Sequence, residues 1–163
     1  MGDDDSAKRS AMTPQGMPLT EGQIEILVRY CECDPMRVAH HASYIAWLEM
    51  GRTELLRPSG VSYREMEEAG VFLAVTRLVV NYKAPAMYDD TLLLRTRVSG
   101  GGRARIDHAY QLFRRREDGT AGDLIATAES TLACIDATGR PRALPEWLAT
   151  KRDRSAKSAA AAT

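Results

Sequence analysis

Residues 31–56, CECDPMRVAHHASYIAWLEMGRTELL, hold the densest set of reactive side chains in this chain of 163 residues. Cys31, Cys33, Asp34, His40 and His41 fall within one short stretch. Three chemistries fit those residue types. The cysteines and imidazoles could ligate a metal. A cysteine could attack as a thiolate, with a histidine as its base. Or one carboxylate, Asp34, could attack a substrate or activate water. The metal reading fails on spacing. Cys31 and Cys33 lie two apart at an expected strand end rather than in a knuckle, and Cys134 stands alone in a later strand. No metal site is therefore expected. The cysteines read more simply as small buried hydrophobes. For Asp34 the residues leave two readings open: an Asp-Pro turn or cap, and a catalytic carboxylate.

The elements on either side must position these groups. QIEILVRYC, residues 23–31, alternates in the manner of a strand, with Ile24, Ile26, Val28 and Tyr30 on one face. A loop, 32–41, leads into ASYIAWLEMGRTELL, 42–56, which reads as a helix. Its first half is apolar almost all round, so something should wrap it. Within it, Glu49 stands about 12 Å beyond the helix start, too far for the same site, and is expected to pair with Arg52 one turn on. RPSG ends the helix through Pro58 and Gly60. Ser62 and Glu65 form a capping box for a short second helix closed by Gly70. Four strand-like segments follow: 71–83, 91–98, 103–115 and 124–136. Read as consecutive hairpins, they give an antiparallel sheet, and such a sheet wrapped around the central helix buries the apolar surface of both. The Gly triplet at 100–102 reads as a hairpin turn, with a phosphate cradle as its alternative.

Composition narrows the function. Twenty-two Lys and Arg balance 22 Asp and Glu. No basic excess or stripe points to nucleic acid, and the run FRRRED reads as a solvated hairpin end. Three cysteines without an apolar leader argue against a disulfide framework and for a cytoplasmic, reducing setting. The opening Met-Gly with Ser6 is only an outline of a myristoylation site. No segment is long and apolar enough to span a membrane. Residues 1–19 read as a disordered arm, 20–150 as one domain, and 151–163 as a flexible tail.

Four pieces, taken in order, resemble the hotdog-fold acyl-CoA thioesterases of the 4-hydroxybenzoyl-CoA thioesterase family, with its YbgC-like and FadM-like members. They are CDP followed by HASYIAWLEMGRTELL, then SGVSYREMEEAG, VVNYKAPAMYDDTLLLRTRV and RIDHAYQLFR. The resemblance covers about residues 23–148. It implies an α+β hotdog fold, a five-stranded antiparallel sheet around one long helix. It also implies hydrolysis of an acyl-CoA to a free acid and CoA without metal or organic cofactor. By the same resemblance Asp34 is the nucleophile or general base, and the backbone N–H of His41 polarises the thioester carbonyl. Tyr44, Arg37, Lys83, Arg103 and Arg105 are the expected substrate-binding residues, the basic ones meeting the phosphates of CoA. A homodimer or homotetramer is expected. Two positions depart from the family pattern: Arg37 stands where Gly is frequent, and Ser43 where Asn is frequent. The alternatives are an acyl-carrier-protein substrate and a non-catalytic acyl-CoA-binding module or scaffold, and Arg37 is the feature that favours the second.

Overall fold

The computed structural model describes residues 14–149. Residues 1–13 of the expected arm and the whole expected tail lie outside the described residues. Residues 14–19 are docked rather than loose: Gln15 N–H donates to the Ser59 carbonyl at 2.9 Å and Leu19 N–H to the Leu55 carbonyl at 2.8 Å.

The chain runs β1 (Glu21–Leu27), α1 (His41–Glu54), α2 (Tyr63–Glu68), β2 (Phe72–Tyr82), β3 (Thr91–Gly102), β4 (Arg105–Arg115) and β5 (Ala121–Ile135). Single 3-10 turns lie at Tyr30–Glu32 and Arg57–Ser59. The five strands form one antiparallel sheet in the order β1-β3-β4-β5-β2. This is the expected α+β hotdog architecture.

Three details differ from the sequence reading. Strand β2 does not turn back onto β3. It pairs with β5 at the far edge, Phe72 opposite Ile135 and Tyr82 opposite Ala126. Residues 83–90 then cross the end of the sheet over β5 and β4, about 14 Å at the usual strand spacing. Local alternation cannot report such a crossover, because it sets which face a residue takes but not which strand lies beside it. Strand β1 is also shorter than expected, ending at Leu27. Beyond it Val28 is held by the crossover: its N–H donates to the Asp90 carbonyl at 2.9 Å, and its carbonyl accepts from Asp89 at 3.0 Å. Gly100–Gly102 pair with Asp107–Arg105 inside the β3–β4 ladder. The triplet is therefore strand, and the turn falls on Arg103 and Ala104.

Helix α1 lies against the sheet. Tyr44, Trp47, Leu48 and Gly51, at helical spacing, are its buried stripe. They pack on Ile26, Leu92, Leu94, Leu112 and Ala126. The apolar surface is not wrapped on every side as expected: Ile45 and Met50 are about half exposed. A single sheet covers only one face of a helix, and in one chain the opposite face stays open. At Gly51 a Cβ would collide with the Thr96 hydroxyl and the Leu94 side chain, so glycine sets how closely α1 approaches β3. A second core cluster, including Leu56, Val61, Met66, Ile106 and Cys134, seats α2, which carries the expected capping box. Gly70 closes α2 with φ +72°, a left-handed conformation that costs glycine little.

Candidate active site

The loop between β1 and α1 is a tight hairpin. Cys33 and Ala39 form an antiparallel bridge. The Asp34 N–H donates to the Val38 carbonyl at 3.0 Å, and the Arg37 N–H to the Asp34 carbonyl at 2.9 Å. Asp34-Pro35-Met36-Arg37 is thus the turn at its tip. One Asp34 carboxylate oxygen, Oδ1, accepts from the Met36 N–H at 2.8 Å. The Asx turn foreseen for an Asp-Pro step is present, and it orients a half-buried carboxylate whose second oxygen stays outside that bond. The turn needs a left-handed fourth residue: Arg37 has φ +65°. That explains a preference for glycine at this position.

The hairpin runs straight into α1. His40 is the N-cap, its Nδ1 accepting from the Ala42 N–H at 3.2 Å, and its ring lies 4.0 Å from the exposed His41 ring. His41 opens the helix. Its N–H belongs to the first turn, which has no intrahelical acceptor and carries the positive end of the helix dipole. The loop leans on the crossover: the Ala39 N–H donates to the Ala86 carbonyl at 2.8 Å, and Val38 bridges Met87.

Glu32, which sequence reading passes over, holds this assembly. It is 8% exposed. Its carboxylate accepts from the Trp47 indole at 2.9 Å, the Arg29 guanidinium at 2.8 Å and the Arg29 N–H at 2.8 Å. Its carbonyl accepts from the His40 N–H at 2.7 Å and the Ser43 hydroxyl at 3.0 Å. Burial pushes the carboxyl pKa up, but the hydrogen bonds from Arg29 and Trp47 outweigh it and hold the group below the usual range. Nothing in the periodicity marks an acid between two cysteines as buried. Arg114 is a second missed residue. It donates to the Pro85 carbonyl at 2.7 Å and pairs with Asp90 at 3.1 Å and Asp123 at 3.2 Å, which ties down the crossover.

Of the expected site residues, the fold gathers Asp34, Arg37, His41 and Lys83 at one end of the sheet. Arg37 and Lys83 are exposed. Lys83 follows Tyr82, whose hydroxyl donates to the His41 carbonyl at 3.4 Å. Tyr44 is buried between Trp47 and Tyr82, with ring centroids 4.9 Å away in each case, and burial pushes its hydroxyl pKa up. It lines a cavity of only 10 Å³ between α1 and the sheet, room for about one water and not for an acyl chain. Arg103 and Arg105 lie at the opposite end, beyond a strand about 36 Å long. Within this chain they are not brought to Asp34, and Arg105 pairs with Asp107 at 3.4 Å. Glu49 pairs with Arg52 at 3.1 Å, as its spacing suggests. Burial and the Glu32 and Asp34 carboxylates push the Cys33 thiol up, away from a thiolate at neutral pH. Among the described residues no cluster of His, Cys, Asp and Glu could hold a metal, and no helix is long and apolar enough to cross a membrane.

Comparison with known proteins agrees with this architecture. Residues 28–151 match the model of the thioesterase-like superfamily. A putative acyl-CoA thioesterase, YneP, from Bacillus subtilis is 33% identical over 128 residues, covering 76% of this chain and 89% of its own. The acyl-CoA thioester hydrolase YbgC of Escherichia coli is 32% identical, with 74% and 87% covered. The crystal structure of a DHNA-CoA thioesterase from Staphylococcus aureus superposes with a TM-score of 0.71 at 32% identity, covering 87% of this chain and 91% of that one. The chain belongs to the thioesterase-like superfamily of hotdog-fold thioester hydrolases.

Proposed function

We propose that this protein hydrolyses acyl-CoA thioesters through Asp34 and the first turn of α1. The observation that supports the reading is the hairpin at 33–39, which folds the backbone of Asp34 back beside Val38 and Ala39, just before the start of α1. A thioester carbonyl seated on the His41 N–H meets a donor and a positive dipole end, and both interactions strengthen as the oxygen gains charge. Asp34 then acts in one of two ways. As general base it takes a proton from water while the oxygen attacks the carbonyl carbon. As nucleophile it forms an acyl-aspartyl anhydride that water cleaves. Either route breaks the C–S bond, expels CoA as the thiolate and leaves a free acid. The thiolate is a good leaving group, so no strong general acid is required. Arg37 and Lys83, both exposed at that end, are the basic residues this reading assigns to the CoA phosphates.

The same reading includes assembly into a homodimer or homotetramer. The outer edge of β2 has no neighbouring strand among the described residues, Val75 and Tyr82 on it are about half exposed, and Ile45 and Met50 lie open on α1. Sedimentation equilibrium tests that part.

The activity is tested by CoA release, followed with a thiol reagent, across short, medium, long and aromatic acyl-CoAs. Asp34→Asn is expected to lower turnover by roughly 10²- to 10⁴-fold. Full activity in Asp34→Asn would remove the carboxylate from the mechanism. Binding of acyl-CoA without turnover by the wild type would make the protein a binding module.

A further inference from the structure

A larger cavity lies at the other end of α1. It has a volume of 540 Å³ and is lined by Leu55, Leu73, Val98 and Ile106, with Arg52 and His108 among them. Arg52 is about 16 Å along the helix from His41. The two polar side chains are unusual for such surroundings. The Arg52 side chain is 10% exposed and His108 is 6% exposed. Arg52 pairs with Glu49 and hydrogen-bonds the Tyr63 and Tyr110 side chains, but its Nε has no hydrogen-bond partner among the described residues, and neither has His108 Nδ1. Buried polar atoms normally find partners, and an unmet guanidinium N–H costs more than a neutral one.

We propose that this cavity is a second ligand site, distinct from the thioester site, and that it takes an amphipathic monocarboxylate. The aliphatic or aromatic body lies among Leu55, Leu73, Val98 and Ile106, and the carboxylate meets Arg52 and His108. Charge selects this class. A cation would be repelled by Arg52, and a neutral apolar chain would leave Arg52 Nε and His108 Nδ1 unmet. A multiply charged anion would face a single cation already shared with Glu49, in a mostly apolar chamber.

Trp147 lines the same cavity, whereas Trp47 is buried beside Glu32 at the thioester end. The full chain is therefore titrated with ω-bromodecanoate, a heavy-atom quencher, and tryptophan emission is followed. Saturable quenching is expected. It should be lost in Trp147→Phe, where Trp47 alone emits. The dissociation constant should rise about tenfold or more in Arg52→Gln and be largely restored in Arg52→Lys, with acyl-CoA hydrolysis unchanged in both. Circular dichroism checks that each variant folds. If Arg52→Gln does not fold, the Trp147→Phe titration decides alone. Saturable quenching of Trp47 in Trp147→Phe would place the acid at the other end of α1 and overturn the proposal. So would equal affinity in folded Arg52→Gln, or quenching that never saturates. These readouts do not depend on the thioester reading, which fails or stands on Asp34→Asn.

Discussion

The indole N–H of Trp47 donates to the Glu32 carboxylate across 2.9 Å, and that bond joins the loop carrying Asp34 to the buried face of α1. Glu32→Ala would leave the indole without an acceptor in the core and free the loop at once. A buried donor left unmet costs about 1–3 kcal/mol. Glu32→Gln keeps an acceptor for Trp47 but loses the charge facing Arg29, whose own side chain is largely exposed and screened, so a smaller loss is expected. Because the folded carboxyl sits below its unfolded value, the stabilisation from its charge is present above the unfolded pKa and is lost as pH falls through the folded one. Urea unfolding at pH 7 and pH 3 checks both points. The gap between wild type and Glu32→Gln should narrow at the lower pH.

Arg37 occupies the left-handed region at the tip of the Asp34 turn. A non-glycine residue there is strained by about 1–2 kcal/mol, and glycine gives back roughly half of the relief through its freer unfolded chain. Arg37→Gly should therefore be more stable than Arg37→Ala, by roughly 0.5–1 kcal/mol. If the guanidinium meets CoA, both variants should raise KM equally and leave kcat alone. Thermal unfolding of the pair, beside steady-state kinetics, separates the backbone effect from the charge effect. Equal stability of the two would contradict the strain.

Gly51→Ala sets two effects against each other. Alanine is the better helix former by about 1 kcal/mol. Its methyl, however, would meet Thr96 and Leu94 where α1 rests on β3, and overpacking of this kind costs about 1–3 kcal/mol. Thr96 is on a strand paired on both sides and cannot step back without disturbing β1 and β4. A net loss of stability is expected, with a lower Tm by calorimetry. A gain would mean that the helix can slide outward on the sheet.

What could be read in advance follows the range of each interaction. The capping box at Ser62 and Glu65, the Glu49–Arg52 pair and the turn at Asp34 involve residues at most four apart, and each is present. Strand positions also follow from alternation within a few residues. The pairing of β2 with β5 joins residues more than 40 apart, and nothing local encodes it. Glu32 looks like any surface acid until Trp47, fifteen residues on, covers it. The open side of α1 was illegible for the same reason, since composition shows that Ile45 and Met50 are apolar but not which surface reaches them. Arg103 and Arg105 were grouped with Asp34 by charge alone, and the length of β3 separates them.

His108 makes the fold sensitive to mild acid. Burial holds its imidazole well below the ordinary 6.5, at about 4, with the Arg52 charge adding to the effect and Asp107 opposing it. The unfolded chain takes up this proton near pH 6.5, while the folded chain resists until about pH 4. Between those values the unfolded state binds more protons, so stability falls as pH drops. The full window corresponds to about 3 kcal/mol, and about 2 kcal/mol of it lies between pH 7.5 and pH 5. His108→Phe keeps a ring beside Tyr110 and removes the titration. Urea unfolding at the two pH values should therefore show a smaller drop for His108→Phe, by about 2 kcal/mol. Equal drops in both proteins would assign the acid sensitivity to other groups.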